Sequence, residues 1–373
     1  MAFDKLINRN RASALIPQEY ADEIWKAAPQ SSAVMQMARR LPNLTSDSRQ
    51  VPVLDLLPQA YFVGEKQQAQ YEEGTRKKTT KAIWEKKYIS PAEIACIVPV
   101  PNNVLDDSKY PIWEEVMPLI AEAAGNLFDR AVINGAAANA PGVWPNGLVP
   151  MAFAAGAVLG LGQLGDLYDD ILGGYDATTQ DTGLVGMLEE SGYFPTGYMA
   201  NIRIAGWLRG LRDLVGQPIF KAVGPNENGV QGRTNYTLDG LPVFFPRNGA
   251  ILPDDPVLLI CADWDKIVYA VRTEIQWKVA EEAAIFDDQD NLMFNSYQED
   301  MTLLRMTFRL GWQVANPTNR VAPNAIDPVT GQVVQHASRL PFSVLVQGDV
   351  DYGVGGIYYG GSANGDGDYV PAT

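Results

Sequence analysis

Histidine is almost missing from this sequence: 373 residues contain one, His336. A histidine-based metal cluster is therefore excluded. A Ser-His-Asp triad has a single candidate base, set in NAIDPVTGQVVQHASRLP, a stretch of turn formers with no nucleophile elbow. His336 reads as a solvated loop residue. Cysteine is nearly as rare. Cys96 and Cys261 are too few for a disulfide scaffold, and each sits in an apolar run, as buried thiols of a reducing compartment do. Positive charge is short too, with 29 basic against 44 acidic side chains and a net charge of −15. That balance excludes a whole-protein electrostatic footprint for nucleic acid, so any contact with DNA must come from a local patch or from enclosure. No apolar run approaches the roughly 20 residues of a spanning helix. The opening MAFDKLINRN lacks the apolar core of a signal peptide. A soluble chain with no membrane partner and no secretion is expected. The acceptor patterns Asn43-Leu44-Thr45 and Asn235-Tyr236-Thr237 are accordingly read as chance.

What is present is a globular mixture, 46% hydrophobic and 20% charged. It excludes intrinsic disorder. At about 100–200 residues per domain, two or three folded units are expected. Chemistry without histidine would have to run on carboxylates, which occur as the pairs Asp106-Asp107, Asp169-Asp170, Asp254-Asp255 and Asp287-Asp288. Adjacent carboxylates are usually caps or solvated turns, and adjacency does not make an acid/base pair. Asp287-Asp288-Gln289-Asp290-Asn291 suggests calcium but lacks the glycine of the sharp turn and the bidentate glutamate at the twelfth position, so no metal is expected. Gly160-Leu161-Gly162-Gln163-Leu164-Gly165 spells the dinucleotide fingerprint, whose mechanism needs a strand before it and a helix after it. The preceding MAFAAGAVL has too few β-branched residues for a buried strand. A helix capped by Asp166 is expected over 167–172, but no βα alternation continues downstream. A glycine-rich connector is the better reading, with no cofactor and no catalytic residue.

Residues 1–48 read as an arm. Pro17 precedes a short helix with the apolar stripe Tyr20, Ile24 and Trp25, and a second short stretch runs from Ser31 to Arg40. Such pieces cannot bury their faces alone and must dock on something larger, such as another subunit. From Val51 to Val100, strand-like VPVLDLL, AYFV, AIWEKKYI and AEIACIVPV surround the polar GEKQQAQYEEGTRKKTTK, the pattern of a projecting hairpin. Arg76, Lys77, Lys78, Lys81, Lys86 and Lys87 face a lone Glu85 between residues 76 and 87, with Trp84 and Tyr88 as aromatic partners. A nucleic-acid patch is one reading. In so acidic a chain, a basic finger lying on a neighbour's acidic surface is preferred. The spacing Ile112, Val116, Leu119, Ile120, Ala123, Leu127, Ala131 then predicts the longest helix with these residues on one buried face, capped by Asp106, Asp107 or Ser108, with Pro118 kinking it or marking where its regular part begins and Asn134-Gly135 closing it. A compact α/β unit follows over 166–265, with helices near 166–175 and 201–214 and strands in LPVFFP and PVLLICADW. Residues 266–271 continue the strands. Met301 to Val314 alternates apolar and polar residues with period two, a strand with one wetted face. Gly348 to Thr373 reads as an irregular Gly-rich tail.

In that order these features resemble the major capsid proteins of tailed bacteriophages, with the Hong Kong 97-like fold. The stretches that carry the likeness are VPVPNNVLDDS (98–108), VINGAAANAPGVWPNGLVP (132–150), NIRIAGWLRGLRDLVGQPIF (201–220), LDGLPVFFP (238–246) and EDMTLLRMTFRLGWQVANP (299–317). The resemblance spans roughly residues 15–317 and implies an α+β fold: N-terminal arm 1–48, extended loop 49–92, peripheral domain 93–165 with 276–308 around a long spine helix, axial α/β domain 166–275 with 309–345, and tail 346–373. It implies a non-enzymatic homo-oligomer of hexamers and pentamers in an icosahedral shell, the capsid of a virion assembled in the host cytoplasm. That shell would enclose double-stranded DNA without reading its sequence. The inter-subunit contacts would come from Arg76, Lys77, Lys78, Lys81, Trp84, Lys86 and Lys87 of the hairpin and from Tyr20, Ile24 and Trp25 of the arm. Some members ligate subunits through a lysine–asparagine isopeptide bond. Here Asp300 falls at the asparagine position, Thr307 at the assisting glutamate and Lys66 nearest the lysine, so self-ligation is not expected. Many members carry a cleaved scaffolding segment. This chain enters the arm by about residue 15, so a separate scaffolding protein, or none, is expected beside a portal protein, with decoration proteins left open. The alternative is an encapsulin nanocompartment, which shares the fold.

Overall fold

The computed structural model describes residues 32–60, 79–108, 111–173, 182–212, 216–217, 220–223, 235–286, 292–326, 333–334, 339–348, 352–353 and 356–357. His336, Asp287–Asn291 and the hairpin tip 61–78 lie outside them. The described chain begins with helix α1 (Ala33–Met37), where Ser32 Oγ accepts from Met35 N–H as the N-cap. Strands β1 (Arg39–Arg40), β2 (Arg49–Leu56), β3 (Ile83–Ile89) and β4 (Ala92–Pro101) follow. β2 and β3 pair antiparallel from Arg49↔Ile89 to Leu56↔Ile83, with a register break between Leu54 and Leu56. They form a two-stranded ribbon at the base of the hairpin that alternation predicts.

Helix α2 (Asn102–Asp107) precedes the long helix α3 (Ile112–Asn134). The expected cap is corrected here. Asp106 and Asp107 end α2, and Pro111 holds the N-cap position of α3 with no side-chain bond. Glu114 and Glu115 complement the helix dipole from the first turn. Pro118 lies within α3 and does not end it. Gly135 ends it at φ +57°, and a Cβ there would come within 2.4 Å of Gly147 N, so the turn needs glycine on both counts.

Downstream lie α4 (Leu148–Ala155), β5 (Val158–Gly160), α5 (Leu167–Leu172), α6 (Leu184–Glu190), β6 (Gly197–Ala200), α7 (Ile202–Gly210), β7 (Lys221–Val223), β8 (Asn235–Leu238), β9 (Leu241–Phe244) and β10 (Val257–Ala262). The chain continues through β11 (Ile267–Ala280), β12 (Ala284–Phe286), β13 (Leu292–Asn295), α8 (Ser296–Glu299), β14 (Met301–Val314), β15 (Ala325–Ile326), β16 (Val333–Val334) and β17 (Phe342–Val346). A four-stranded sheet runs β1-β11-β14-β4 and a seven-stranded one β5-β17-β10-β6-β9-β8-β7. α3 packs on the four-stranded sheet, where Phe128, Ile120 and Val132 share a core with Ile94, Leu304, Met306 and Trp312. β14 fulfils its alternation, with Leu304, Met306 and Leu310 fully buried and Arg305 exposed. β6 and β10 are buried on both faces, as central strands of a covered sheet are. Ile260 and Ala262 of β10 face the α3 side, while Leu259 and Cys261 face α6 and α7, so one strand joins the two cores.

Two expectations need correction. β11 runs far beyond residue 271, pairing with β14 as far as Ala280↔Leu303, although most side chains from Glu274 onward are exposed. A strand also precedes the glycine-rich loop: β5 pairs parallel with β17. Three residues held by a distant partner suffice there, where composition pointed to none.

Candidate assembly surfaces

The ribbon has an inner and an outer face. Period-two alternation turns Trp84, Lys86 and Tyr88 outward. Trp84 is 62% and Tyr88 52% exposed, and Pro52 and Gln50 lie opposite Lys86 and Tyr88 on β2. Two large aromatics flanking a lysine on an uncovered ribbon are a candidate contact. Lys81, just before β3, is also exposed. Lys87 turns inward instead. Its Nζ donates to Val314 O at 3.2 Å, and burial, reinforced by the Arg339 charge, holds its pKa below the ordinary lysine value against Glu85 and Asp55. Ile89 on that inner face is fully buried against Leu44, Val268 and Ala270. Arg76, Lys77, Lys78, Tyr20, Ile24 and Trp25 lie outside the described residues.

Where the arm enters the body, α1 docks on its own chain. Asp129 of α3 is fully buried and accepts from Ser32 Oγ, from Ala33 N–H at 2.7 Å, from Val34 N–H at 3.1 Å and from Asn248 Nδ2 at 2.7 Å. Burial pushes the Asp129 carboxyl up from its usual range, and the hydrogen bonds from Ser32, Asn248, Ala33 and Val34 oppose that shift. Asn126 Nδ2 also donates to Asn248 O. One turn of α3 therefore ties the arm to the loop before β10. The sequence gives no signal for it, because Asp129 falls on the opposite side of α3 from the stripe Ile112, Val116, Leu119, Ile120, Ala123, Leu127 and Ala131.

A surface of opposite sign lies where β11 ends and β14 begins. Asp106, Asp107, Glu281, Glu282, Glu299 and Asp300 are all exposed there, beside exposed Phe286, Leu292 and Tyr297. Hydrogen bonds unite these segments. Ser296 Oγ donates to Glu281 O at 2.9 Å, Asn102 N–H donates to Asp300 O at 2.9 Å, and Asn102 Nδ2 donates to Asp300 Oδ1 at 2.6 Å. An open groove of about 500 Å³ between Glu282, Ala283, Ala284, Asn295 and Tyr297 marks the same end. Lys278 and Arg305 lie opposite each other in register on the adjoining strands.

The glycine-rich loop is closed on itself. Gly162 N–H and Leu164 N–H donate to the two oxygens of buried Asp170 at 2.6 and 2.8 Å, and Gly160 N–H donates to Gln163 Oε1 at 3.1 Å. The amides that would cradle a phosphate are already engaged by a carboxylate. Both cysteines are free. Cys261 is buried and its thiol is pushed far up by desolvation, whereas Cys96 is half-exposed, contrary to the expectation that both are buried. Among the described residues, no three His, Cys, Asp or Glu side chains are grouped to hold a metal, and no helix is long and apolar enough to cross a membrane.

Comparison with known proteins bears on what such surfaces serve. The Phage capsid family matches residues 12–323. The major capsid protein of Staphylococcus phage 80alpha is 22% identical over 316 residues, covering 84% of this chain and 86% of that one. A solved structure from Microbacterium phage Oxtober96 is 28% identical with a TM-score of 0.71, over 92% of this chain and all of the other. One from Mycobacterium phage Cain is 25% identical with a TM-score of 0.69, over 93% of this chain and all of the other. The capsid of a native GTA particle, 15% identical with a TM-score of 0.58 over 93% of this chain and all of that one, shares the fold.

Proposed function

The chain belongs to the phage capsid family, and from that premise we infer how its copies hold one another in the shell. It is a bacteriophage major capsid protein, a structural component of the virion and not an enzyme. The encapsulin alternative is not favoured, because the likenesses extend over nearly the whole chain to phage capsids. The outer face of the ribbon, Trp84, Lys86 and Tyr88 with Lys81, grips the acidic end of a neighbour's four-stranded sheet. The observation that carries this is complementarity: exposed aromatics with cations on one surface, exposed aromatics with six carboxylates on the other. The two surfaces differ, so the contact is heterologous, and a heterologous contact that closes makes rings such as hexamers and pentamers.

In this reading residues 1–48 are the arm, 49–92 the extended loop, 93–165 with 276–308 the peripheral domain, and 166–275 with 309–345 the axial domain. The tip residues Arg76, Lys77 and Lys78 extend the grip, and the arm residues Tyr20, Ile24 and Trp25 add a second one. A portal protein and a separate scaffolding protein complete assembly in the host cytoplasm, and double-stranded DNA is held by enclosure.

Electron microscopy of the purified recombinant chain tests the assembly. Rings of five or six, or closed shells of one diameter, are expected, and a homogeneous monomer at high concentration would overturn it. Nuclease-protected DNA in native particles separates a phage shell from a nanocompartment. Deleting Gln67–Lys81 is expected to leave a folded subunit that forms no shells, and efficient assembly by that variant would refute the ribbon's role.

A further inference from the structure

Beneath the root of the ribbon lies a buried cation with no carboxylate at ion-pair distance among the described residues. Arg339 is 3% exposed. Its Nη1 donates to Asn324 Oδ1 at 2.7 Å, Ala322 O at 2.8 Å and Thr318 Oγ1 at 3.2 Å, and its Nε donates to Asn316 Oδ1 at 3.3 Å. Asn316 Nδ2 returns a bond to Arg339 O at 2.8 Å. Burying an unpaired guanidinium is costly, and it persists only where neutral acceptors satisfy it. Here those acceptors all come from one loop, 316–324, which therefore has its shape dictated by Arg339.

That loop holds the ribbon. Thr318 N–H donates to Leu54 O at 2.8 Å. Asn324 Nδ2 donates to Asp55 O at 2.8 Å and to Asp55 Oδ1 at 2.7 Å, and Arg320 Nη2 donates to Pro58 O at 3.1 Å. The grip falls on the register break between Leu54 and Leu56, where a bulge bends the strand. One apolar attachment lies nearer the root of the ribbon, at Val51 and Ile89 against Leu44, Val268 and Ala270, while Val53 and Leu56 beside the break are buried as well. At about 3.3 Å per residue, Asp55 is roughly 13 Å nearer the tip than Val51. A ribbon fixed at one point can swing, and a second point at that distance fixes its direction.

We propose that Arg339 and Asn324 are the positioning residues of the projecting hairpin, a clasp that aims the ribbon at its neighbour. This rests on the capsid reading for its purpose, though not for its geometry. The discriminating variant is Asn324→Asp. A carboxylate at 324 pairs with Arg339 and so keeps the buried cation satisfied, but it cannot donate to residue 55 and it repels Asp55. The swap Asp55→Asn with Asn324→Asp restores a donor across the same gap. Arg339→Met is the direct counterpart, and Asn324→Asp decides the matter where Arg339→Met does not fold.

The readouts are hydrogen exchange over residues 50–57 and 316–324, with α3 as internal reference, and the assembled fraction by electron microscopy. Losing these bonds is expected to speed exchange at the clasp about tenfold, with α3 unchanged. Assembly should fall with it, and both should recover in the swap. Exchange as slow in Asn324→Asp as in the wild type overturns the clasp. Faster exchange with undiminished assembly, or no recovery in the swap, overturns its positioning role. If the wild type itself forms no shells, the capsid reading fails and the exchange comparison alone decides whether the clasp exists.

Discussion

At the scale of single residues, stability rests on a few buried polar groups whose partners are far away in sequence. Asp129 accepts four hydrogen bonds that join arm, α3 and the loop before β10. Asp129→Ala leaves those donors buried and unpaired, and should cost about 3 kcal/mol or more, whereas Ser32→Ala, which removes the cap on Met35 N–H and one of the four donors to Asp129, should cost about 2 kcal/mol. Urea unfolding of the two variants checks the ratio. Tyr198 is the opposite case, a buried hydroxyl with no partner among the described residues. Tyr198→Phe should leave stability unchanged or raise it by up to about 1 kcal/mol. Tyr193 carries a pH signature. Its hydroxyl lies 2.6 Å from Asn316 Oδ1 and 2.7 Å from Pro317 O, and burial pushes its pKa to about 12. The unfolded chain ionises first, near its ordinary value of about 10. The contribution of this group is therefore intact below pH 10 and is lost as pH climbs from 10 to 12, by about 1.4 kcal/mol per unit. Unfolding measured at pH 9 and pH 11 should show a steeper fall for the wild type than for Tyr193→Phe.

At the scale of elements, what could be read from the sequence is what burial on one face imprints. Met301–Val314 was legible to the residue because Leu304, Met306, Leu310 and Trp312 must face α3 while Arg305 meets solvent. α3 was legible as a helix at the 3.6-residue period, but its facing was not: Leu119, Ala123 and Leu127 of the expected stripe are exposed, and Ala124, Phe128 and Val132 turn to the core instead. β11 beyond Val271 was not legible, because Glu274, Gln276 and Lys278 are exposed and the strand is held by backbone pairing to β14. Nor was β5, an alanine- and glycine-flanked strand that exists because β17 lies beside it. On the candidate surfaces, alternation alone separates outward Trp84 and Lys86 from inward Ile89. The Arg339 clasp leaves no such trace, since Asp55 and Asn324 are 269 positions apart. The ribbon's two faces make a prediction at this scale. Lys86→Glu reverses charge on the outer face while touching no described core, so it should abolish assembly and leave the melting temperature within about a degree or two of wild type. A large drop in melting temperature would place Lys86 in the fold rather than in the contact.

For the whole molecule, a net charge of −15 sets assembly against itself. Every copy repels every other at long range, yet the proposed contact joins opposite charges at short range. Salt distinguishes the two. The screening length is about 30 Å at 0.01 M, about 8 Å at 0.15 M and about 3 Å at 1 M. Moving from low to physiological salt removes repulsion between whole subunits, whose charges lie tens of ångströms apart, and leaves pairs in contact largely intact. Going on to 1 M screens the contact pairs at the rim as well. The assembled fraction measured by light scattering in sodium chloride should therefore rise and then fall, with its maximum near physiological ionic strength. In Trp84→Ala the whole curve should drop without moving its maximum, because the apolar part of the grip is insensitive to screening. A monotonic rise to 1 M would mean that apolar burial alone holds the copies together, and the basic ribbon on an acidic end would lose its part in the shell.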